Sequence, residues 1–148
     1  MSATGRVTRV WRQGEPWTVS DASELYEIDR WGKGYFSIGP NGHVRVHGTK
    51  APDRAIDLKQ LVDHLQLRGI GLPILIRFPD ILKQRLAEIH TAFQAAIAQN
   101  QYDGSYFCVY PIKVNQQRQV VEEVLEFGRP HGFGLEAGSK PELLAVAA

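Results

Sequence analysis

The stretch Tyr106-Phe107-Cys108-Val109-Tyr110-Pro111-Ile112-Lys113-Val114-Asn115 decides how this chain is expected to fold. Aromatic and β-branched side chains dominate it, the composition of a strand covered on both faces. It ends on a single lysine, and a helix is predicted to begin at once, near Gln116. Alternation along the strand sends Phe107, Val109, Pro111 and Lys113 to one face and Cys108, Tyr110 and Ile112 to the other. The carboxyl end of a parallel strand is where α/β barrels gather their chemistry. An amine held there, partly out of water, can condense with the aldehyde of a cofactor to form a Schiff base. The plainer alternative is a solvated lysine that merely ends a strand, because most lysines are exposed.

Working outward, the pattern from Ile56 onward alternates helix and strand. Ile56, Leu58, Leu61, Val62 and Leu65 lie at helical spacing, and Gly69 stops that helix. Pro73 to Phe78 reads as a continuous apolar strand. A long helix is predicted from about Asp80 to Asn100, then the strand Ser105 to Ile112, then a helix from Gln116 to Phe127. A third strand, His131 to Ala137, leads into a helix opened by Ser139-Lys140-Pro141-Glu142, the spacing of a capping box. Helices between strands with short links predict parallel strands and right-handed crossovers. The pattern alone leaves a (β/α) barrel and an open doubly wound sheet equally open.

Residues 1–55 have a different character. Ser20 is placed to cap a short helix from Asp21 to about Glu27, and Gly34–Ile38 and His43–His47 flank the turn Gly39-Pro40-Asn41-Gly42. Asn-Gly between two alternating runs is a hairpin signal. Thr49 to Arg54, with Pro52, reads as a polar connector. Trp11, Trp17 and Trp31 all fall in this region, where they are expected to pin the arm to a surface. The expected organisation is an N-terminal arm with helix and hairpin over residues 1–55, then three βα units over residues 56–148.

Composition narrows the classes. A net charge of +1 points to neither nucleic acid nor an anionic membrane as partner. No run approaches the roughly eighteen apolar residues of a membrane span. The start, Met1-Ser2-Ala3-Thr4-Gly5-Arg6, lacks the apolar core of a secretory signal, and the single cysteine, Cys108, fits a reducing compartment. These features predict a cytoplasmic setting. The last residues, Leu143 to Ala148, read as an apolar helix without a polar stop, and three parallel strands would leave two bare edges. The expectation is therefore a truncated chain, the N-terminal piece of a longer protein.

Glu136 ends the third predicted strand as Lys113 ends the second, so an amine and a carboxylate are expected at one rim. A solvated acid ahead of a helix is the alternative. Arg77, near the end of the first strand, completes that rim but signals little by itself. The five histidines (His43, His47, His64, His90, His131) show no metal-ligand spacing, and His43 and His47 are expected to face solvent. Gly32-x-Gly34 and Gly132-x-Gly134 lack the third glycine of a dinucleotide loop.

Two motifs carry a resemblance. Tyr110-Pro111-Ile112-Lys113-Val114-Asn115-Gln116 and Gly134-Leu135-Glu136-Ala137-Gly138-Ser139-Lys140-Pro141-Glu142-Leu143 are similar to the biosynthetic arginine decarboxylases, a pyridoxal-phosphate family with an alanine-racemase-like barrel. The likeness extends over Leu25-Tyr26 to Val46, with Gly34-Tyr35-Phe36, and over Leu72-Pro73 to Leu86, with Arg77-Phe78-Pro79, covering about residues 24 to 148.

The resemblance implies the N-terminal part of a (β/α)8 TIM-like barrel preceded by a small β-hairpin region. It implies that Lys113 is the catalytic and cofactor-binding residue, holding pyridoxal 5'-phosphate as an aldimine. Glu136 matches the acid at the end of the third barrel strand, which would orient Lys113 and help move protons. The implied reaction turns L-arginine into agmatine and carbon dioxide, in putrescine and spermidine biosynthesis. Magnesium and a homo-oligomer are implied by the family alone, and no residue here is assigned to the metal. The family's phosphate-binding glycine loop, its proton-donating cysteine and the residues that read arginine are expected beyond residue 148, so the fragment alone is expected to be inactive. Cys108 is not that cysteine, because it points away from the Lys113 face. Other enzymes of this fold, such as ornithine or diaminopimelate decarboxylases or a racemase, and a non-catalytic fragment are the alternatives.

Overall fold

A computed structural model describes residues 14–148, so Trp11 lies outside the described residues. The N-terminal region opens with helix α1 (Val19–Leu25), which begins two residues sooner than the sequence pattern predicts. Thr18, not Ser20, is the cap, because Asp21 stands three residues on. The Thr18 Oγ1 accepts from the Asp21 N–H at 3.2 Å, and the buried Asp21 carboxylate accepts from the Thr18 N–H at 2.9 Å. That reciprocal arrangement satisfies two backbone donors at the helix start. A short second helix, α2 (Ile28–Gly32), follows, which periodicity did not indicate.

Strands β1 (Phe36–Ile38) and β2 (Val44–His47) pair antiparallel across the Gly39–Gly42 turn, with Phe36 opposite Val46. A third strand, β3 (Ala55–Asp57), joins the other edge of β2 after a 3-10 turn at Pro52–Arg54. This corrects the assignment of Ile56 to a helix. The following helix, α3 (Leu58–Leu67), begins only after Asp57, whose carboxylate accepts from the Gln60 N–H at 3.1 Å. Ile56 fits the helical period by spacing, but its backbone is taken by Val46 in the sheet. Val46 is wholly buried, and with Ile28 and Tyr35 it forms the core of this unit.

Asp57 also takes hydrogen bonds from Asn41 Nδ2 at 3.1 Å and pairs with His43 Nδ1 at 2.9 Å. His43 is therefore engaged in the sheet and does not simply face solvent. The same holds for His47, whose Nε2 lies 2.7 Å from Ser37 Oγ. Burial alone would raise the Asp57 carboxyl, yet the Gln60, Asn41 and His43 hydrogen bonds outweigh it and hold the group at about 2. The folded value lies below the ordinary 3.8, so this contribution to stability is present above that value. It is lost as pH falls from about 4 toward 2. Acid titration followed by circular dichroism should show the wild type losing stability over that interval more steeply than Asp57→Asn. Parallel curves would contradict the assignment.

The second unit is built on α4 (Pro79–Gln99) and α5 (Arg118–Gly128), which pack together. Strands β4 (Val109–Pro111) and β5 (Gly134–Glu136) pair parallel, with Val109 opposite Gly134 and Pro111 opposite Glu136. Leu86, Ile112, Val120, Val124 and Phe133 are buried here. Gly128 lets α5 end against β5, since a Cβ at that position would come within 2.5 Å of the Phe133 Cβ.

Two strand assignments need correction. Residues 74–78 form neither helix nor strand, with Leu75 and Arg77 exposed and Ile74 and Ile76 half-buried, and they pair with no strand among the described residues. Side-chain alternation records which face is covered and is silent about whether a neighbour's peptide groups lie within reach. Among the described residues the parallel sheet therefore has two strands and not three. The strand expected over Ser105–Ile112 is shorter, because β5 offers a partner for only a few residues; Gly134 N–H to Cys108 O and Ile112 N–H to Glu136 O mark its two ends.

The two units are joined at α4. Lys50 Nζ donates to Glu88 Oε1 at 2.7 Å and lies 4.5 Å from the centre of the Tyr35 ring, and Arg85 pairs with the same carboxylate. The Lys50 hydrogen bond is the largest influence on Glu88 and draws its carboxyl below the ordinary value. Gly48 makes the close approach possible, as a Cβ there would meet the Asp80 Cβ at 2.9 Å. Of the tryptophans, Trp17 and Trp31 line an open apolar groove of about 770 Å³ with Tyr26, Ile28 and Ile38.

Candidate functional site

Lys113 sits at the apex of a turn directly after β4. The Val114 N–H donates to the Pro111 carbonyl at 3.1 Å, closing the turn. Outside that bond lies a second clasp, in which the Tyr110 hydroxyl donates to the Asn115 carbonyl at 3.2 Å. Asn115 Oδ1 in turn accepts from the Gln117 N–H at 3.1 Å, where α5 is about to start. Short polar side chains favour such local bonds at helix entries, because the first helical N–H groups have no partner within the helix.

Glu136 is the last residue of β5 and stands opposite Pro111, two residues before Lys113. Lys113 and Glu136 are both exposed, and among the described residues neither side chain has an ion-pair or hydrogen-bond partner. The structure thus brings the amine and the carboxylate to the same end of adjacent parallel strands without an ion pair between them. Just past Glu136, Ser139 Oγ accepts from the Glu142 N–H at 3.3 Å and caps α6 (Lys140–Ala147). The Glu142 carboxylate reaches the Gly138 N–H at 2.6 Å and not that of Ser139, so only half of the expected capping box forms.

The face on which Lys113 was expected is largely bare: Phe107 is 74% and Val109 is 52% exposed. The opposite face is the covered one, with Ile112 buried and Cys108 and Tyr110 half-buried. Cys108 is a free thiol on that covered side, away from the rim. Arg77 makes no ion pair with Glu136. Its guanidinium donates to Gln117 Oε1, tying residues 73–78 to the start of α5.

Of the rim expected from sequence, Lys113 and Glu136 stand at adjacent strand ends and Arg77 is bonded to Gln117. Tyr110, Asn115 and Gln117 were not assigned roles by sequence reasoning. The signal available was the spacing itself, a tyrosine and an asparagine five residues apart across a proline-containing turn. Among the described residues, no group of three or more His, Cys, Asp or Glu side chains is placed to hold a metal ion. No helix among them is long and apolar enough to cross a membrane.

No protein-family model matches the chain. Individual proteins do. The chain is 54% identical over 132 residues to the biosynthetic arginine decarboxylase of Rhodopirellula baltica, covering 89% of this chain and 20% of that protein. It is 47% identical over 144 residues to the enzyme of the same name from a Nostoc species, covering 97% of this chain and 20% of the relative. Among solved structures, the biosynthetic arginine decarboxylase of Campylobacter jejuni superposes with a TM-score of 0.74 at 35% identity, over 82% of this chain and 20% of that one. The chain therefore spans about a fifth of the length of these relatives, and over nearly all of its own length it is homologous to part of them.

Proposed function

We propose that this chain supplies the lysine-bearing rim of a pyridoxal-phosphate-dependent arginine decarboxylase, which converts L-arginine to agmatine and carbon dioxide for polyamine synthesis. The observation that carries this reading is the pairing of β4 and β5, which sets Lys113 and Glu136 at adjacent strand ends. It does so inside a segment about half identical to enzymes of that name. Because the match spans a fifth of those enzymes, the activity is assigned to the assembled protein and not to these 148 residues by themselves.

The residues present fit the cofactor. An exposed amine without a partner, on a turn clamped from both sides, is available to an aldehyde carbon, and a carboxylate stands on the neighbouring strand. Pyridoxal phosphate, when bound, supplies an electron sink for the bond that breaks as carbon dioxide leaves. Lys113 would hold the cofactor at its aldehyde carbon. Glu136 would orient the Lys113 amine and hold or return its proton. Arg77 and Gln117 would keep the start of α5 fixed against the rim. No residue of this chain is assigned to magnesium.

The finer fold reading is a (β/α)8 barrel whose interior includes the bare Phe107 and Val109 face. A cytoplasmic homo-oligomer is the setting that goes with it.

The test is to put this chain in place of the matching part of the Rhodopirellula baltica relative, incubate that chimera with pyridoxal phosphate, reduce with borohydride and map the labelled peptide. Label concentrated on Lys113 over Lys59, Lys83 and Lys140 is the expected result; label spread evenly among them would reject the reading. In a chimera carrying this chain in place of the matching part of the Rhodopirellula baltica relative, Glu136→Gln should slow agmatine formation by about a hundredfold. An unchanged rate would remove Glu136 from the mechanism.

A further inference from the structure

Lys113 is the apex of two nested closures, and the outer one depends on a single hydroxyl. The inner bond, Val114 N–H to Pro111 O, is backbone to backbone and would form with many side chains. The outer bond, Tyr110 Oη to Asn115 O, spans the whole turn and is made by a side chain on the opposite face of β4 from Phe107 and Val109. Tyr110 is half-buried on the covered side, so its ring has few alternative positions. Asn115 is in turn joined to Gln117, and Gln117 to Arg77 from residues 73–78. The turn that presents the amine is thus gripped from below by the sheet's packed face and from the side by the preceding segment.

We propose that Tyr110 is a positioning residue for Lys113: its hydroxyl, anchored in the packed face, holds the turn so that the amine stays at the strand end beside Glu136. This inference rests on the pyridoxal-phosphate reading for its chemical consequence, while its structural content stands on the hydrogen bonds alone. Without the hydroxyl, the turn keeps only its inner bond, and Lys113 samples positions away from the rim.

Tyr110→Phe removes one oxygen and leaves the ring, so the packing of β4 is kept. Two measurements are made on the chimera that carries this chain in place of the matching part of the Rhodopirellula baltica relative. The first is amide hydrogen exchange at Val114, which should quicken by about fivefold, the effect of losing one ordinary hydrogen bond. The second is the rate of Lys113 labelling by pyridoxal phosphate and borohydride, which should fall by about the same factor while labelling of Lys59, Lys83 and Lys140 is unchanged. A merely structural tyrosine would slow no single lysine selectively. If the wild type labels at Lys113 and Tyr110→Phe matches it in both measurements, the positioning role is overturned and the functional reading survives. If wild-type Lys113 does not label at all, the functional reading fails, and unchanged exchange at Val114 would then overturn the clasp as well.

Discussion

Replacing Lys113 with alanine is expected to reduce agmatine formation by about a thousandfold or more in the chimera with the Rhodopirellula baltica relative. The loss is chemical and not structural. Lys113 is exposed on a turn, and its side chain makes no hydrogen bond or ion pair that the fold needs. A surface substitution of this kind changes stability by no more than about 0.5 kcal/mol. Thermal unfolding of the two chimeras should therefore coincide. Lys113→Arg is the sharper control, because it keeps the charge but replaces a nucleophilic amine with a delocalised guanidinium that stays protonated. If the arginine variant retains activity, the residue is only a positive charge at the rim. Loss in both variants, with unchanged melting, assigns the covalent role to the amine.

The largest structural effect is expected at Val124. This side chain is wholly buried on α5, which packs on α4 in the second unit. Val124→Asp places a carboxylate where no partner exists to receive it, at a cost of several kcal/mol unless it becomes neutral. That is a large part of the roughly 5–15 kcal/mol that holds an ordinary domain together. The expected result is loss of cooperative unfolding in urea and of the near-ultraviolet signal. Val124→Ala, which only removes methyl groups, should lower stability by about 2 kcal/mol and keep a cooperative transition. A tolerated aspartate would mean that α5 does not pack on α4 in solution.

The longer helices were legible because amphipathic spacing is local, whereas the short α2 and the Thr18 cap of α1 were missed. Residues from about Asp80 to Asn100 were read as one helix, and α4 runs over Pro79–Gln99. The end of α6's cap at Ser139 was legible for the same reason, since a hydroxyl and the third N–H beyond it meet wherever the chain turns into a helix. At the hairpin the turn was plain, but β3 was hidden. Ile56 satisfies a helical period and a strand equally well, and only the free edge of β2 decides between them. Residues 73–78 show the reverse: the side chains alternate as in a strand, but no neighbour supplies a ladder among the described residues.

The candidate site divides along the same line. The sequence pattern put Lys113 and Glu136 at strand ends ahead of helices, while their candidate roles came from the family resemblance. Their chemistry and order along the chain are properties of the residues. That Pro111 stands opposite Glu136, that Tyr110 clasps the lysine turn, and that Arg77 reaches Gln117 across forty residues were decided only by the tertiary structure. Strand register and side-chain reach depend on how far apart the backbone segments finally lie. Local propensity carries no information about that distance, and packing of the helices against one face of the sheet sets it.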